Sequence, residues 1–234
     1  MHPNTMHSET GHQTTMQQST VQQSTGHSPE IAETVYRLDG PLRWALGEVQ
    51  DLLRAVGAGP GQQVVDVGAG TGYAAVPAAR AVGPQGSVHC VDGSPELLDV
   101  LAARAAREGV ADRLTRTVGP VVPLPVDDGR ADLVISTYVL HELADDAPAA
   151  IAEMHRVLRP GGRVALADYR KTSDRERNRE IEAWYARQPD GAGPDEVHLR
   201  FSLGELEEML RAAGFQRIEL RTWHDFHVHA TAEK

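Results

Sequence analysis

Five short runs rich in β-branched residues recur along the middle of the chain, separated by longer stretches rich in alanine and leucine. The runs are QVVDV (63–67), SVHCV (87–91), RLTRTV (113–118), ADLVIST (131–137) and RVALADY (163–169). Between them lie AAVPAARAV, PELLDVLAARAARE and APAAIAEMHRVL, whose apolar residues fall at helical spacing. Strand-like runs alternating with helical stretches specify a parallel sheet wrapped by helices. Ser94-Pro95 predicts one helix start, through a capping hydroxyl followed by proline, and RPGG at 159–162 predicts another helix end.

Beyond Tyr169 the pattern changes. RKTSDRERNREIEAWYARQ predicts a charged helix, and PDGAGPDEVHLRFS a loop; LGELEEMLRAAG (203–214) predicts a further helix. Two strand-like runs close the chain, FQRIELR and WHDFHVHATA, and consecutive strands form a hairpin. The expected fold is therefore α/β: a Rossmann-like seven-stranded mixed sheet, last strand antiparallel, with helices on both faces.

A chain of 234 residues suits one domain with at most an appendage. Residues 1–28 are rich in Gln, Ser, Thr and His, carry no Lys or Arg, and hold too little apolar surface to offset ordering entropy. They are expected to be a disordered polar tail, followed by an N-terminal helical cap over 29–60 and the main domain over 61–234. His2, His7, His12 and His27 suit either a soft metal or simple solvation, and a solvated tail fits the composition better. The tail lacks the basic start and apolar run of a signal peptide, and no stretch reaches the roughly 20 apolar residues of a membrane span. Cys90 is the single cysteine, so an intramolecular disulfide is impossible and a cytoplasmic protein is expected. The net charge of -10 disfavours nucleic acid as a partner. The expected partner is a small-molecule acceptor, with no membrane, and with a monomer or homodimer left open.

The first strand-like run leads into DVGAGTG. A turn between the first strand and first helix of such a sheet lies at its carboxyl edge, where ligands bind. A phosphate-cradling GxxxxGK[ST] loop is excluded because no lysine follows the glycines. Gly68, Gly70 and Gly72 space as GxGxG, and Tyr73 fills the sixth position that the dinucleotide pattern GxGxxG reserves for glycine. Asp66, two residues before the first glycine, would face a pyrophosphate unfavourably but suits a ligand bearing an ammonium group. S-adenosyl-L-methionine is such a ligand: it has an ammonium, a sulfonium, a ribose and an adenine, and no phosphate. Glycines let the backbone, with Ala69, pass beneath it without side-chain clash. Asp92 at the end of VHCVD, next to Gly93, would accept its ribose hydroxyls, each charge-assisted bond being worth roughly 1.5–3 kcal/mol.

DVGAGTG, VDGS, PLPVDDGRADLVIS and LRPGG together resemble the ordered motifs of the class I S-adenosylmethionine-dependent methyltransferases, over about Gly61 to Ala232. Within that class the chain is similar to small bacterial enzymes with an RLDxPxR-like segment (RLDGPLR, 37–43), a VLHEL motif (139–143) and a GPP-like loop (GAGP). The resemblance implies an enzyme that transfers a methyl group to an unidentified small molecule. The family places GDA after its third strand to bind adenine; this chain has VGPVVPLP, with Pro120 at the acidic position. Proline offers neither a side-chain acceptor nor an N–H, so adenine is expected against apolar groups and backbone around Gly119, Pro120 and Val121.

The reacting groups are expected at the ends of the fourth and fifth runs. Ser136, Thr137 and Tyr138 would touch the methionine side of the cofactor. His141, supported by Glu142, suits a general base, with a merely wall-forming role as the alternative. Asp168 and Tyr169 are expected in the acceptor pocket. Tyr36 and Arg43 would close over the site, Arg43 reaching the cofactor carboxylate, unless it lies on a surface helix. The loop 187–200 and the segment before Pro41 would act as lids. In WHDFHVHA, Phe226, Val228 and Ala230 share one strand face and His227 and His229 the other, so with His224 no three ligands converge and no metal is expected. His227 is left as a candidate to reach the acceptor pocket. Two other functions remain open: an S-adenosylmethionine-binding regulator without turnover, and, disfavoured by the glycine spacing, an NAD-dependent oxidoreductase.

Overall fold

The computed structural model describes residues 48–185, 201–223 and 227–234, together with Ile31, Thr34, Val35 and Leu38. Its seven strands form one sheet in the order β3-β2-β1-β4-β5-β7-β6. β1 (Gln63–Val67), β2 (Ser87–Asp92), β3 (Leu114–Val118), β4 (Ala131–Thr137) and β5 (Leu158–Tyr169) pair in parallel. β7 (His227–Glu233) lies antiparallel between β5 and β6 (Gln216–Trp223). The mixed seven-stranded architecture expected from the sequence is the one observed.

Burial on both faces explains the near-continuous apolar runs of the central strands. Val64 and Val65 are adjacent in β1 and enter different cores, as strand alternation requires. On one face, α1 (Glu48–Ala55), α2 (Ala75–Val82) and α3 (Pro95–Arg107) pack Leu52, Val76 and Leu101 with Val64, Val88 and Ile135. On the other, α5 (Ala147–Val157) and α7 (Leu203–Ala212) pack Ile151, Met154 and Leu210 with Val65, Val134 and Val228. A short α4 (Leu140–Leu143) follows β4, and the charged α6 (Arg175–Tyr185) follows β5. β3 and β6, the sheet edges, carry the charged runs and are its most exposed strands, which discourages further strand pairing.

Helix starts follow local chemistry. The Ser94 hydroxyl accepts the Leu97 N–H at 3.2 Å, with Pro95 at the first helical position of α3. Ser202 and Glu205 form a reciprocal capping box at the start of α7. RPGG behaves differently from expectation. α5 does end just before it, at Val157, but Leu158–Gly162 is drawn into β5 rather than left as a turn. Non-local pairing is the cause: the Gly161 N–H donates to the Lys234 carbonyl, and the Lys234 N–H to the Gly162 carbonyl, both at 2.9 Å. The tail over 1–28, almost all of the cap before Glu48 and the loop over 187–200 lie outside the described residues.

Ile151 is fully buried and Glu208 is exposed on α7. Ile151→Ala should cost about 2–5 kcal/mol in urea unfolding, whereas Glu208→Ala should stay within about 0.5 kcal/mol of the parent.

Candidate active site

The strand order reverses between β1 and β4, and the loops leaving their carboxyl ends diverge there to leave a crevice. DVGAGTG borders that crevice. Gly68, Gly70 and Gly72 adopt φ of 70°, 49° and 87°, in the left-handed region. A Cβ on Gly68 would collide with a Val139 methyl. Backbone hydrogen bonds hold the loop: the Gly68 and Ala69 N–H groups both donate to the Val91 carbonyl, at 2.8 and 3.1 Å. Asp92 clamps it from β2, with one carboxylate oxygen accepting from Gly70 N–H and the other from Ser94 N–H, both at 2.8 Å. Gly93 beside it is exposed and has open space where a Cβ would sit.

Asp66 is the electrostatic anomaly of this region. Its side chain is fully buried, and neither carboxylate oxygen makes a hydrogen bond. Burial and the charge of Asp92 push its pKa up to about 8, against a smaller opposing effect of the Ala75 N–H. An orphaned buried carboxyl under a glycine turn fits a ligand that brings its own positive charge. The neighbouring Cys90 thiol is likewise pushed up, by burial and by Asp66, and stays protonated in the core.

Past β3, Gly119 donates its N–H to the Asp92 carbonyl at 3.0 Å, and a Cβ there would lie 2.8 Å from Pro125. Pro120 is exposed and Val121 half-buried. Val118 (56%) and Val122 (38%), on either side of them, are the large apolar residues left exposed among the described residues. Val118, Pro120 and Val122 thus form an exposed apolar rim at the end of β3.

At the ends of β4 and β5 the geometry is denser. The buried Ser136 hydroxyl donates to the Val67 carbonyl at 2.9 Å and so ties β4 to β1; Thr137 is buried beside it. Tyr138 has φ of 60°, a strained conformation for a bulky residue, and its N–H donates to the Ala167 carbonyl at 2.7 Å. Asp168, expected in the acceptor pocket, is a buried acceptor. Its Oδ2 accepts from the Val139 and Leu140 N–H groups, at 3.2 and 2.8 Å, and so starts α4. Its Oδ1 accepts from the Tyr169 N–H at 2.7 Å and lies 2.8 Å from His141 Nδ1. With Nδ1–H donating to that carboxylate, His141 keeps the lone pair on Nε2. Glu142 projects outward with 71% of its side chain exposed, its nearer carboxylate oxygen 3.9 Å from His141 Nε2.

Tyr169 packs against three other rings: Tyr138 at 4.9 Å, His141 at 4.9 Å and His227 at 5.2 Å between centroids. His227 thus reaches the ring cluster. His227 and His229 share one face of β7, opposite Val228 and Ala230, whose side chains enter the α5/α7 core. Sequence reasoning missed Glu48, which is 3% exposed and bonded to Tyr138 and His229. The available signal was an acid on the apolar stripe of α1, beside Val49 and one turn before Leu52. Tyr36, Arg43, His224 and Phe226 lie outside the described residues. Among the described residues, no group of three or more His, Cys, Asp or Glu is arranged to hold a metal.

Residues 64–162 match the family model described as a methyltransferase domain. A crystal structure of a SAM-dependent methyltransferase from Aquifex aeolicus superposes with a TM-score of 0.68 at 22% identity, covering 86% of this chain and 96% of that one. The two chains share one fold. An arsenite methyltransferase of Halobacterium salinarum is 33% identical over 167 residues, 69% of this chain and 39% of the relative. A 2-phytyl-1,4-naphtoquinone methyltransferase of Nostoc is 31% identical over 133 residues, 57% of each chain. The chain therefore spans less than two thirds of the length of these curated relatives.

The buried acid Asp66 makes unliganded stability depend on pH. An acid with a pKa of about 8 when folded and 3.8 ordinarily remains protonated in the native state while the unfolded chain ionises. Its penalty is absent below the lower value and grows as pH rises toward the upper one. Asp66→Asn should therefore gain melting temperature relative to the parent between pH 5 and about 8, by scanning fluorimetry without ligand. A constant difference across that range would show that Asp66 titrates normally.

Proposed function

We propose that the chain is an S-adenosylmethionine-dependent methyltransferase acting on a small-molecule acceptor, with His141 as its general base. The observation that carries the reading is Asp66, a buried carboxyl without a hydrogen-bond partner beneath a glycine turn at the strand-reversal crevice. Gly68, Ala69, Gly70 and Gly72 would pass beneath the cofactor, with Asp66 offering its carboxylate to the ammonium. Asp92 would take the ribose hydroxyls, and the exposed Val118 and Val122 with the 119–121 backbone would flank the adenine. When bound, the cofactor supplies an electrophilic methyl group on a sulfonium.

The chain's own residues then have to orient the acceptor and take up its proton. Asp168 holds His141 by Nδ1, leaving Nε2 as the basic atom, while the Tyr169 and Tyr138 rings supply flat apolar walls. Holding the reacting groups in line is worth about 7–11 kcal/mol of a displacement barrier. Tyr36 and Arg43, within the RLDGPLR-containing cap, would complete the site, and VLHEL places His141 at the start of α4. The relatives' names, arsenite and naphtoquinone methyltransferases, point to small acceptors. Arsenic held through several thiols does not suit a chain whose single cysteine is buried in the core.

No helix among the described residues is long and apolar enough to cross a membrane. A lone cysteine suits a reducing compartment, and the proposed setting is the cytoplasm, with the chain acting as a monomer or homodimer without nucleic acid.

Calorimetry should show S-adenosylhomocysteine binding that weakens at least about tenfold in Asp92→Ala, on the scale of a lost charge-assisted bond. NAD should not bind; tight NAD binding would sink the reading. With an acceptor found from a panel of phenols, amines and thiols, His141→Ala should lower turnover by about 10²–10⁴-fold, the usual worth of a general base. Its S-adenosylhomocysteine affinity should stay near the parent's. Silence of the parent across the whole panel would favour a regulator that binds the cofactor without turnover.

A further inference from the structure

Glu48 occupies a place where a carboxylate is costly. It lies on the stripe of α1 that buries Val49, Leu52 and Leu53, and it is 3% exposed. Side chains from three other parts of the fold converge on it. The Tyr138 hydroxyl, from the end of β4, lies 2.7 Å from both of its oxygens. The Tyr73 hydroxyl, just after the glycine turn, makes a longer contact of 3.4 Å. From β7, His229 Nε2 lies 3.0 Å and His227 Nδ1 3.8 Å from Oε1. Burial pushes the carboxyl up, but His229, His227 and Tyr138 together outweigh it and hold Glu48 below its ordinary value. Glu48 is thus an ionised acceptor, and the groups around it must donate.

That requirement fixes proton positions further out. Tyr138 donates its hydroxyl proton to Glu48, so its oxygen presents a lone pair to His227 Nδ1, 3.4 Å away. His227 Nδ1 therefore carries a proton, facing both that lone pair and the Glu48 carboxylate. Its ring packs edge-on to Tyr138 at 5.5 Å and tilted against Tyr169 at 5.2 Å. Strand order sets the lateral arrangement. β5, which ends in Tyr169, lies between β4, which leads to His141, and β7, which begins with His227. Tyr169 accordingly stands between two histidines, each tied at Nδ1 to a carboxylate system: His141 to Asp168, and His227 to Glu48 with Tyr138.

We propose that Glu48 is a positioning residue for the acceptor: through Tyr138 it holds His227 as a second polar contact across Tyr169 from His141. The acceptor then carries two polar groups on a flat skeleton that packs against Tyr169. One group is the atom deprotonated by His141 and methylated; the other hydrogen-bonds to His227. This rests on the methyltransferase reading above. It adds a requirement for the acceptor's chemistry and assigns a role to three residues distant in sequence.

Two measurements test it. The first needs no acceptor: histidine ring nitrogen resonances, which report which ring nitrogen carries the proton, are recorded by NMR at one fixed pH in the parent and in Glu48→Gln, assigned with His227→Gln and His229→Gln. Loss of the carboxylate should move the His227 resonances away from the Nδ1-protonated pattern, while those of His141, held by Asp168, stay in place. An unchanged His227 pattern would overturn the positioning role, whatever the enzyme methylates. The second compares paired acceptors from the panel, phenol with catechol and aniline with 2-aminophenol. The parent should prefer the member with two polar groups, and Glu48→Gln should erase that preference, mainly by raising KM about tenfold with kcat nearly unchanged. Glu48→Asp should partly restore it. Should Glu48→Gln fail to fold, Tyr138→Phe removes the link to His227 and leaves the carboxylate in place; it should show the same loss of preference. A drop in kcat with the preference retained would overturn the proposal and leave the methyltransferase reading intact. No turnover with any acceptor would overturn both, and retained S-adenosylhomocysteine binding would then mark the protein as a regulator.

Discussion

Burial of β1, β4 and β5 on both faces is the constraint on which the rest of the molecule depends. A parallel strand covered on both sides can be reached only by crossovers over one face or the other, and here α2 and α3 cover one side while α5 covers the second. The glycine turn, Asp92, Tyr138 and Tyr169 all stand at strand ends on one edge for that reason. None of them is close to the others in sequence. The edge strands tolerate charge because they are covered less, whereas in β1, at the centre of the sheet, the one charge is the fully buried Asp66.

Three buried carboxylates at that edge show three solutions to one cost. Asp168 is compensated by backbone N–H groups and a histidine, and becomes a fixed acceptor that both starts a helix and holds the His141 ring. Glu48 is compensated by side chains, two tyrosine hydroxyls and two histidines, and so transmits its charge into the ring cluster. Asp66 is left uncompensated by hydrogen bonds and moves toward the neutral form instead. The differences follow from what surrounds each group: a strand end, a helix packed over a sheet, and the middle of a strand where every backbone group is already paired. A site with an uncompensated acid beside two compensated ones is asymmetric, with one end suited to a cation and the other to proton transfer.

The helices and strands of the main domain were legible because their signals are local. Periodicity placed the five parallel strands within a residue at nearly every end, and Ser94-Pro95 marked the start of α3 through a hydroxyl that reaches only three residues on. The beginning of β5 was not legible, since Arg159–Gly162 is extended by pairing with the chain terminus some seventy residues later. The candidate site divides in the same way. Glycine spacing and Asp66 could be read because a turn and the residue feeding it are one local unit. The hydrogen bonds of Asp168 to His141 and the α4 backbone could not be read, because they join residues 27 to 29 apart in the chain. Glu48 gave only the weak signal of an acid on an apolar stripe, because its partner His229 lies 181 residues away.

The sequence by itself determined the fold class, the glycine turn with its acidic neighbours, and the histidine that follows β4. Each depends on hydrophobic period, backbone permissiveness or charge within a few residues, and these are properties of composition and spacing. Only the tertiary structure decided which histidine is backed by which carboxylate, that the Tyr169 ring contacts both His141 and His227, and that Glu48 bonds to Tyr138 and His229. Those facts depend on the lateral order of β4, β5 and β7 and on α1 packing over them. Sheet pairing and helix docking bring together groups whose separation along the chain carries no information about their distance in space.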